Sequence, residues 1–286
     1  MNIVLTCINN YQDYIQTNIK QLIKLNHKNI FVICNSFMFN YFEDYGSNVT
    51  LIDVNELDKL DGYDNIDKIK TNSSLDKNFR GGFWYLSSLR FLYIYKFMDK
   101  YNIDNVIHLE NDVLIYYNCD EFINLIDKRF LYIPFDTYKR NIASIVYIPN
   151  KEVYKQIIDN YDFNKNDMEN FSIIKQKTGL IENLPIFINS NFLSNEQQFV
   201  SKNSNIFPFI FDAAAIGQYL GGVDPRNISG NTIGFINETC VIKYNNYYIE
   251  FQYDENNCRK PFIFIENKCV PIFNLHIHSK KLEDFI

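Results

Sequence analysis

Two spacings of apolar residues organise the first third of this chain. Residues 2–8 (NIVLTCI) form a near-continuous apolar run. Ile15, Ile19, Leu22 and Ile23 then recur at helical spacing, and residues 30–35 (IFVICN) are a second short apolar run. Strand, helix and strand in that order predict a parallel pair joined by a right-handed crossover. Residues 49–54 (VTLIDV) predict a third strand. Residues 55–80 are polar and charged, with Gly62 and Asn72-Ser73-Ser74, and read as a long irregular connection of the kind that is usually functional or mobile. A strongly patterned helix spans roughly Phe83 to Tyr101. Leu86, Leu89, Tyr93 and Phe97 line one side of it, and Ser87, Arg90 and Ile94 fall on another. A strand over Asn105 to Leu109 follows, so the first part reads β-α-β-β-α-β.

Further along, the pattern predicts a short strand at 113–116, a helix at 119–128, strands at 130–135 and 143–148, and helices near 151–160 and 166–177. Signals are weak from Leu184 to Asn205. Residues 207–222 (FPFIFDAAAIGQYLGG) read as a strand running into a small-residue helix that stops at a glycine pair. Short apolar runs separated by turns fill 240–278, with a hairpin turn at Glu266-Asn267-Lys268. No internal repeat or linker breaks this order. The expected fold is one α/β domain over residues 1–286, with a mostly parallel central sheet and a β-rich C-terminal part.

Composition narrows the function. A hydrophobic fraction of 47% and an aromatic fraction of 16% support a sizeable core and exclude a disordered chain. A formal charge of −6 gives no basic footprint, so nucleic acid is not an expected partner. The N-terminus lacks a basic segment followed by a long apolar run, and no stretch reaches the ~20 apolar residues of a membrane span. A cytoplasmic protein is expected. The six cysteines are scattered, with no C-x-x-C pair, and read as reduced packing residues.

The chemistry concentrates in two places. The strand over 105–109 ends abruptly in Glu110, Asn111 and Asp112 before apolar residues resume at Val113. Carboxylates at the end of a buried strand are costly to desolvate unless a metal or ligand meets them. On an extended backbone Glu110 and Asp112 face the same way, and such oxygens suit magnesium or manganese carrying substrate phosphates. Near the other end, FNLHIHSKK (273–281) sets His276 and His278 two apart, followed by Lys280 and Lys281. Imidazole suits manganese, and an ammonium beside it suits a diphosphate. Two further features are weaker. Arg80-Gly81-Gly82 before a helix could hold a phosphate, and Arg90 could contact the same ligand or pair with an acid. Asp212, before three alanines, lies at a strand-to-helix junction, where it could equally be a cap. His108 lies deeper in its strand than Glu110 and reads as a hydrogen-bonded core histidine.

Together these features resemble the GT-A fold glycosyltransferases: a nucleotide-binding, Rossmann-like β-α-β start, a strand-ending D/E-x-D and a late His with a nearby Lys. The sharp motifs cover about twenty residues, although the layout covers most of the chain. The resemblance implies a manganese (or magnesium) ion and a nucleotide-diphosphate sugar, UDP-linked by family habit, as donor. Asp112 would then be the main metal ligand, with Glu110 touching the metal through water or binding the ribose. His278 or His276 would complete the coordination and Lys280 would hold the phosphates. Thr6 and Asn9, at the end of the first strand, and Asn111 would meet the nucleotide. Asp212 would contact the sugar or act as base, and Gln218, Gly221, Gly222 and Asp224 would border the acceptor, whether glycan, protein or lipid. Residues 1–118 would be the nucleotide-binding half and 119–286 the acceptor-side half. A sugar nucleotidyltransferase would want a Gly-rich, basic loop after the first strand, where this chain reads TCINNYQDY (6–14). A non-catalytic carbohydrate-binding relative is the other alternative.

Overall fold

Alternate residues of the central strands enter two different apolar layers. In β1 (Asn2–Cys7), Ile3, Leu5 and Cys7 face one layer and Val4 the other. In β4 (Val106–Leu109), Ile107 and Leu109 share the first layer, while Val106 joins the second. A strand buried on both faces is mostly apolar, which is why these runs show no regular polar alternation. The computed structural model describes residues 1–60, 63, 73–188 and 193–286.

The first layer lies under α1 (Ile15–Lys24), through Ile15, Ile19 and Leu22. Between β1 and β4 the chain also forms β2 (Asn29–Cys34), β3 (Val49–Asp53), the short α2 (Val54–Asp58) and α3 (Phe83–Tyr101). The second layer lies under α3, α4 (Lys151–Asp159) and α5 (Asp167–Thr178). β5 (Val113–Ile115), β6 (Leu131–Pro134), β7 (Ile145–Ile148) and β8 (Ile181–Leu184) complete the first eight strands. Seven of them form one sheet in the order β3-β2-β1-β4-β7-β6-β8. All neighbours pair in parallel except β7, which runs against both β4 and β6. The sheet is therefore mostly parallel, as the crossover pattern predicts.

The C-terminal part is antiparallel. β9 (Tyr248–Tyr253), β10 (Arg259–Ile265) and β11 (Lys268–Pro271) make a three-stranded sheet, and β12 (Asn274–His276) pairs with β5. The β10–β11 turn has Glu266 and Asn267 both at positive φ, 49° and 63°, as a two-residue hairpin requires. Two short helices, α6 (Asn195–Val200) and α7 (Ile216–Gly221), precede this part. The segment after β12 is fastened down on three sides. The Tyr116 hydroxyl donates to the Phe285 carbonyl, Arg259 donates to the Asp284 carbonyl, and the Thr17 hydroxyl bonds Glu283.

Four local expectations change. The helix expected over 119–128 is two 3₁₀ turns, Cys119–Glu121 and Ile123–Leu125. Asn118 and Glu121 form a capping box that starts a helix. Phe122 then turns inward against Phe207, Phe211 and Phe273, with ring centroids 5.0–6.1 Å away, and helical geometry ends. The strand expected from 207 reduces to one bridge, Ile210 to Ile272, because Phe207, Phe209 and Phe211 are all buried and Pro208 cannot donate. Helix α3 is not two-sided: every residue from Ser88 to Met98 is buried, since the sheet, α2, α4 and α5 enclose it. Of the long connection expected over 55–80, α2 takes the first residues, while 61–62 and 64–72 lie outside the described residues. No helix among the described residues is long and apolar enough to cross a membrane.

Phe273 is fully buried among Tyr117, Phe122, Phe209 and Phe211. Phe273→Ala should cost about 3–5 kcal/mol in urea unfolding. A second expectation concerns pH. His108 is buried with its Nδ1 3.0 Å from the Val4 carbonyl oxygen. Burial, aided by the Arg90 charge, pushes its pKa down to about 3. The unfolded chain therefore takes up a proton below pH 6.5 that the folded chain refuses, and stability falls as pH drops. His108→Gln should flatten that fall by about 1 kcal/mol between pH 6.5 and 5.5.

Candidate metal centre

The centre begins where β4 stops. The Glu110 amide still donates to the Ser144 carbonyl at 2.9 Å, but the Val113 amide then donates back to the Glu110 carbonyl at 3.0 Å. Residues 110–113 are thus a turn, not the extended strand end the sequence suggests, and the turn brings the two acids together. One side chain holds its shape. The Asn18 amide, on α1, faces the carbonyls of Glu110, Asn111 and Val113 at 3.2, 3.2 and 2.9 Å. Asn111 does not face outward. It donates to the Thr6 carbonyl at 2.8 Å and to Gln12 at 2.6 Å, tying the end of β1 to the end of β4.

Strand pairing supplies the third group. Val113 in β5 is registered opposite His276 in β12, and the Ile277 amide donates to the Asp112 carbonyl at 2.8 Å. His276 Nε2 therefore stands 3.2 Å from Asp112 Oδ2 and 3.3 Å from Glu110 Oε2. One ligand atom from each of Glu110, Asp112 and His276 lies within 4.8 Å of the others. Lys280, in left-handed geometry at φ 64°, forms an ion pair with Asp112 Oδ2.

His278 is not in this trio. The chain turns after His276, with the His278 amide donating to the His276 carbonyl. The two rings then meet edge to face at 4.3 Å, and His278 Nδ1 lies 2.8 Å from Gln218 Nε2. Burial and the neighbouring His276 push its pKa down to about 3, so it is neutral. Burial opposes charge on Asp112 too, but Lys280 and His276 outweigh it and hold the carboxyl well below the usual carboxylate range. The same partnership outweighs burial at His276 and raises its pKa.

Arg90 meets acids rather than open space. It donates to Glu110 Oε1, to Asp167 at 2.9 Å and to the Ala143 carbonyl at 3.2 Å. That leaves Glu110 Oε2 for the His276 side of the trio. Burial pushes Asp167 up to about 6 despite Arg90. Asp212 is fully buried and accepts four main-chain N–H groups, from Ala215, Ile216, Gly217 and His276, at 2.8–2.9 Å. It clasps the start of α7 to the strand that carries His276. Gly217 lies in that clasp, where a Cβ would come 2.1 Å from the His276 carbonyl oxygen. Asn9, at φ 61°, is exposed, and its amide is held by Asn35 at 2.6 Å. Arg80, also left-handed at φ 50°, donates to the Arg226 carbonyl at 2.8 Å. Asp224 pairs with Arg226.

Asn18, Gln12, Asp167, Gly217 and Arg226 escape the sequence reading. Asn18 had a signal, because it interrupts the apolar stripe of Ile15, Ile19 and Leu22 with a polar group on the buried face. Asp167 looks like any acid in a first helical turn. Two carboxylates and an imidazole converging beside an ammonium form a donor set that fits a divalent cation.

No protein-family model and no curated protein matches the chain. Solved structures match in part. The PaToxG glycosyltransferase is 14% identical with a TM-score of 0.41, over 62% of this chain and 69% of that one. Mouse xyloside xylosyltransferase 1 is 12% identical with a TM-score of 0.42, over 64% and 84%. A cytidylyltransferase from Leptospira borgpetersenii is 10% identical with a TM-score of 0.40, over 70% and 81%. Likenesses this loose share an α/β layout and carry no function across.

Gly217→Ala tests the clasp. The added methyl must displace the His276 strand, so unfolding free energy should fall by about 1–3 kcal/mol. Affinity for an added divalent cation, read by calorimetry, should fall with it.

Proposed function

We propose that this chain is a metal-dependent glycosyltransferase that moves a sugar from a nucleotide-diphosphate donor, UDP-linked by family habit, to an acceptor hydroxyl. The observation carrying this is the convergence of Glu110, Asp112 and His276 beside Lys280, from segments 164 positions apart, at the end of a parallel strand. In open α/β sheets that is where nucleotides bind. A carboxylate–imidazole set favours manganese over magnesium. Asp112 and His276 are its ligands in this reading, and Glu110 offers Oε2 while Arg90 holds Oε1. When bound, the ion would offset charge growing on the departing diphosphate. Lys280 shares that task, turning from Asp112 to a phosphate oxygen.

Asp212 serves as a positioning residue for His276, because its oxygens are bound to main-chain groups. The proton of the acceptor hydroxyl then goes to the departing phosphate, a route that goes with retention of the anomeric configuration. The acceptor belongs to the glycan, protein or lipid classes.

A thermal-shift screen of nucleotide sugars with and without manganese names the donor, because a bound ligand stabilises by mass action. Asp112→Asn should weaken manganese at least tenfold, and His276→Ala by a similar factor, while His278→Ala should change it by less than about threefold. If the unaltered protein neither binds nor hydrolyses any sugar nucleotide with manganese present, the proposal fails. Proton NMR of the product should show the donor's anomeric configuration retained, and inversion would remove the phosphate-as-base route.

A further inference from the structure

One arginine of this chain divides its guanidinium where three others do not. Arg129, Arg140 and Arg226 each meet a single carboxylate, at Asp127, Asp136 and Asp224, and close on both of its oxygens with Nε and Nη2. A guanidinium facing one carboxylate takes this fork because its planar N–H groups match the two oxygens. Arg90 is held differently. Its Nη1 donates to Glu110 Oε1, while its Nη2 is drawn away to Asp167 Oδ2 at 2.9 Å and to the Ala143 carbonyl at 3.2 Å. Its Nε, which the other three use, has no partner among the described residues. Glu110 is therefore gripped by one oxygen only, and its Oε2 stands 3.3 Å from His276 Nε2.

Asp167 is fixed in the place where it does this. It opens α5, and the fully buried Asn141 ties that end of the helix down. The Asn141 side-chain amide donates to the Asp167 carbonyl at 3.1 Å and also to the Met168 carbonyl, which accepts the Asn141 main-chain amide as well. The side chains of Arg90 and Asp167 keep only 9% and 7% of their surface exposed, so water does not compete for their contact. Burial pushes Asp167 up to about 6, and it is still ionised at neutral pH. Two carboxylates around one guanidinium leave a net negative charge beside the trio, and Glu110 alone would leave none. Without Asp167, Nη2 would be free to join Nη1 on Glu110, as in the other three pairs.

We propose that Asp167 is a positioning residue for the metal centre: by holding Arg90 Nη2 it keeps the guanidinium from closing on both oxygens of Glu110, and so leaves Oε2 open to the cation. This deepens the reading of Glu110, Asp112 and His276 as a divalent-cation site and rests on it. Asp167 touches none of the three. It acts through Arg90, which orients a carboxylate that meets the metal, and groups placed behind a ligand in this way set its availability.

Calorimetry with manganese chloride as the probe tests this on the full chain. Asp167→Ala should weaken manganese about tenfold or more, the usual size of an effect from a group behind a metal ligand. Asp167→Asn keeps the shape and an oxygen for Nη2, so it should recover part of that loss, and it carries the test if the alanine variant does not fold. A cycle with Arg90 separates positioning from structure. In an Arg90→Met background Asp167→Asn should change manganese affinity by less than about twofold, because the guanidinium it restrains is gone. A carboxylate needed only to seat α5 would cost the same affinity with or without Arg90, and that result overturns the proposal. If the unaltered protein binds manganese and Asp167→Asn, with Asp167→Ala where it folds, binds it equally well, this inference falls and the centre stands. If the unaltered protein binds no manganese, the reading of the centre falls and this inference with it.

Discussion

The pairing of β5 with β12 is the constraint on which the rest of this centre depends. It is only three residues long, and it sets His276 opposite Val113. A slip of one residue would turn His276 to the opposite face and bring Leu275 or Ile277 to the acids instead. Register is held from both flanks. The Ile277 amide on the Asp112 carbonyl locks one end, and the Asp212 carboxylate on the His276 amide locks the strand from behind. Asn274 adds a third point, through its bonds with the Asp212 main chain.

The energetics follow from burial. Asp112 and His276 are both mostly hidden from solvent, and isolated buried charges cost several kcal/mol each. The protein meets that cost by alternation of sign. Asp167 faces Arg90, Arg90 faces Glu110, Glu110 faces His276, His276 faces Asp112 and Asp112 faces Lys280. Such a chain is strong only while every member is present. It also fixes orientation. Arg90 takes one oxygen of Glu110 and leaves the other for the trio, so a helix buried on all sides sets the angle of a carboxylate at the sheet edge.

Much of this was legible in the sequence. Strands buried on both faces announce themselves as apolar runs, although which residues enter which layer did not follow from the runs alone. The acids at 110–112, the histidine pair and Lys280 stood out because polar groups interrupt apolar surroundings. What stayed hidden was geometry that depends on other segments. Extended spacing suggested that Glu110 and Asp112 converge across a pleat, whereas a turn held by Asn18 does it. The same spacing could not separate His276 from His278, because the chain bends between them. The stretch at 119–128 carried a true helix start, yet Phe122 follows three aromatic rings that lie far away in sequence. Asp212 read equally as a cap or as a base, and its four main-chain partners show that it is held as a clasp.

The fastening of the segment after β12 has a consequence for the order of synthesis. All seven strands of the central sheet are contained in the first 184 residues, and both acids of the centre are made by residue 112. Glu110 already has Arg90, but the imidazole and ammonium partners of Asp112 arrive only with residues 276 and 280. A growing chain therefore carries Asp112 without the groups that neutralise it while residues 113–275 are made. The centre closes only after the central sheet is made, when Glu283, Asp284 and Phe285 reach Thr17, Arg259 and Tyr116.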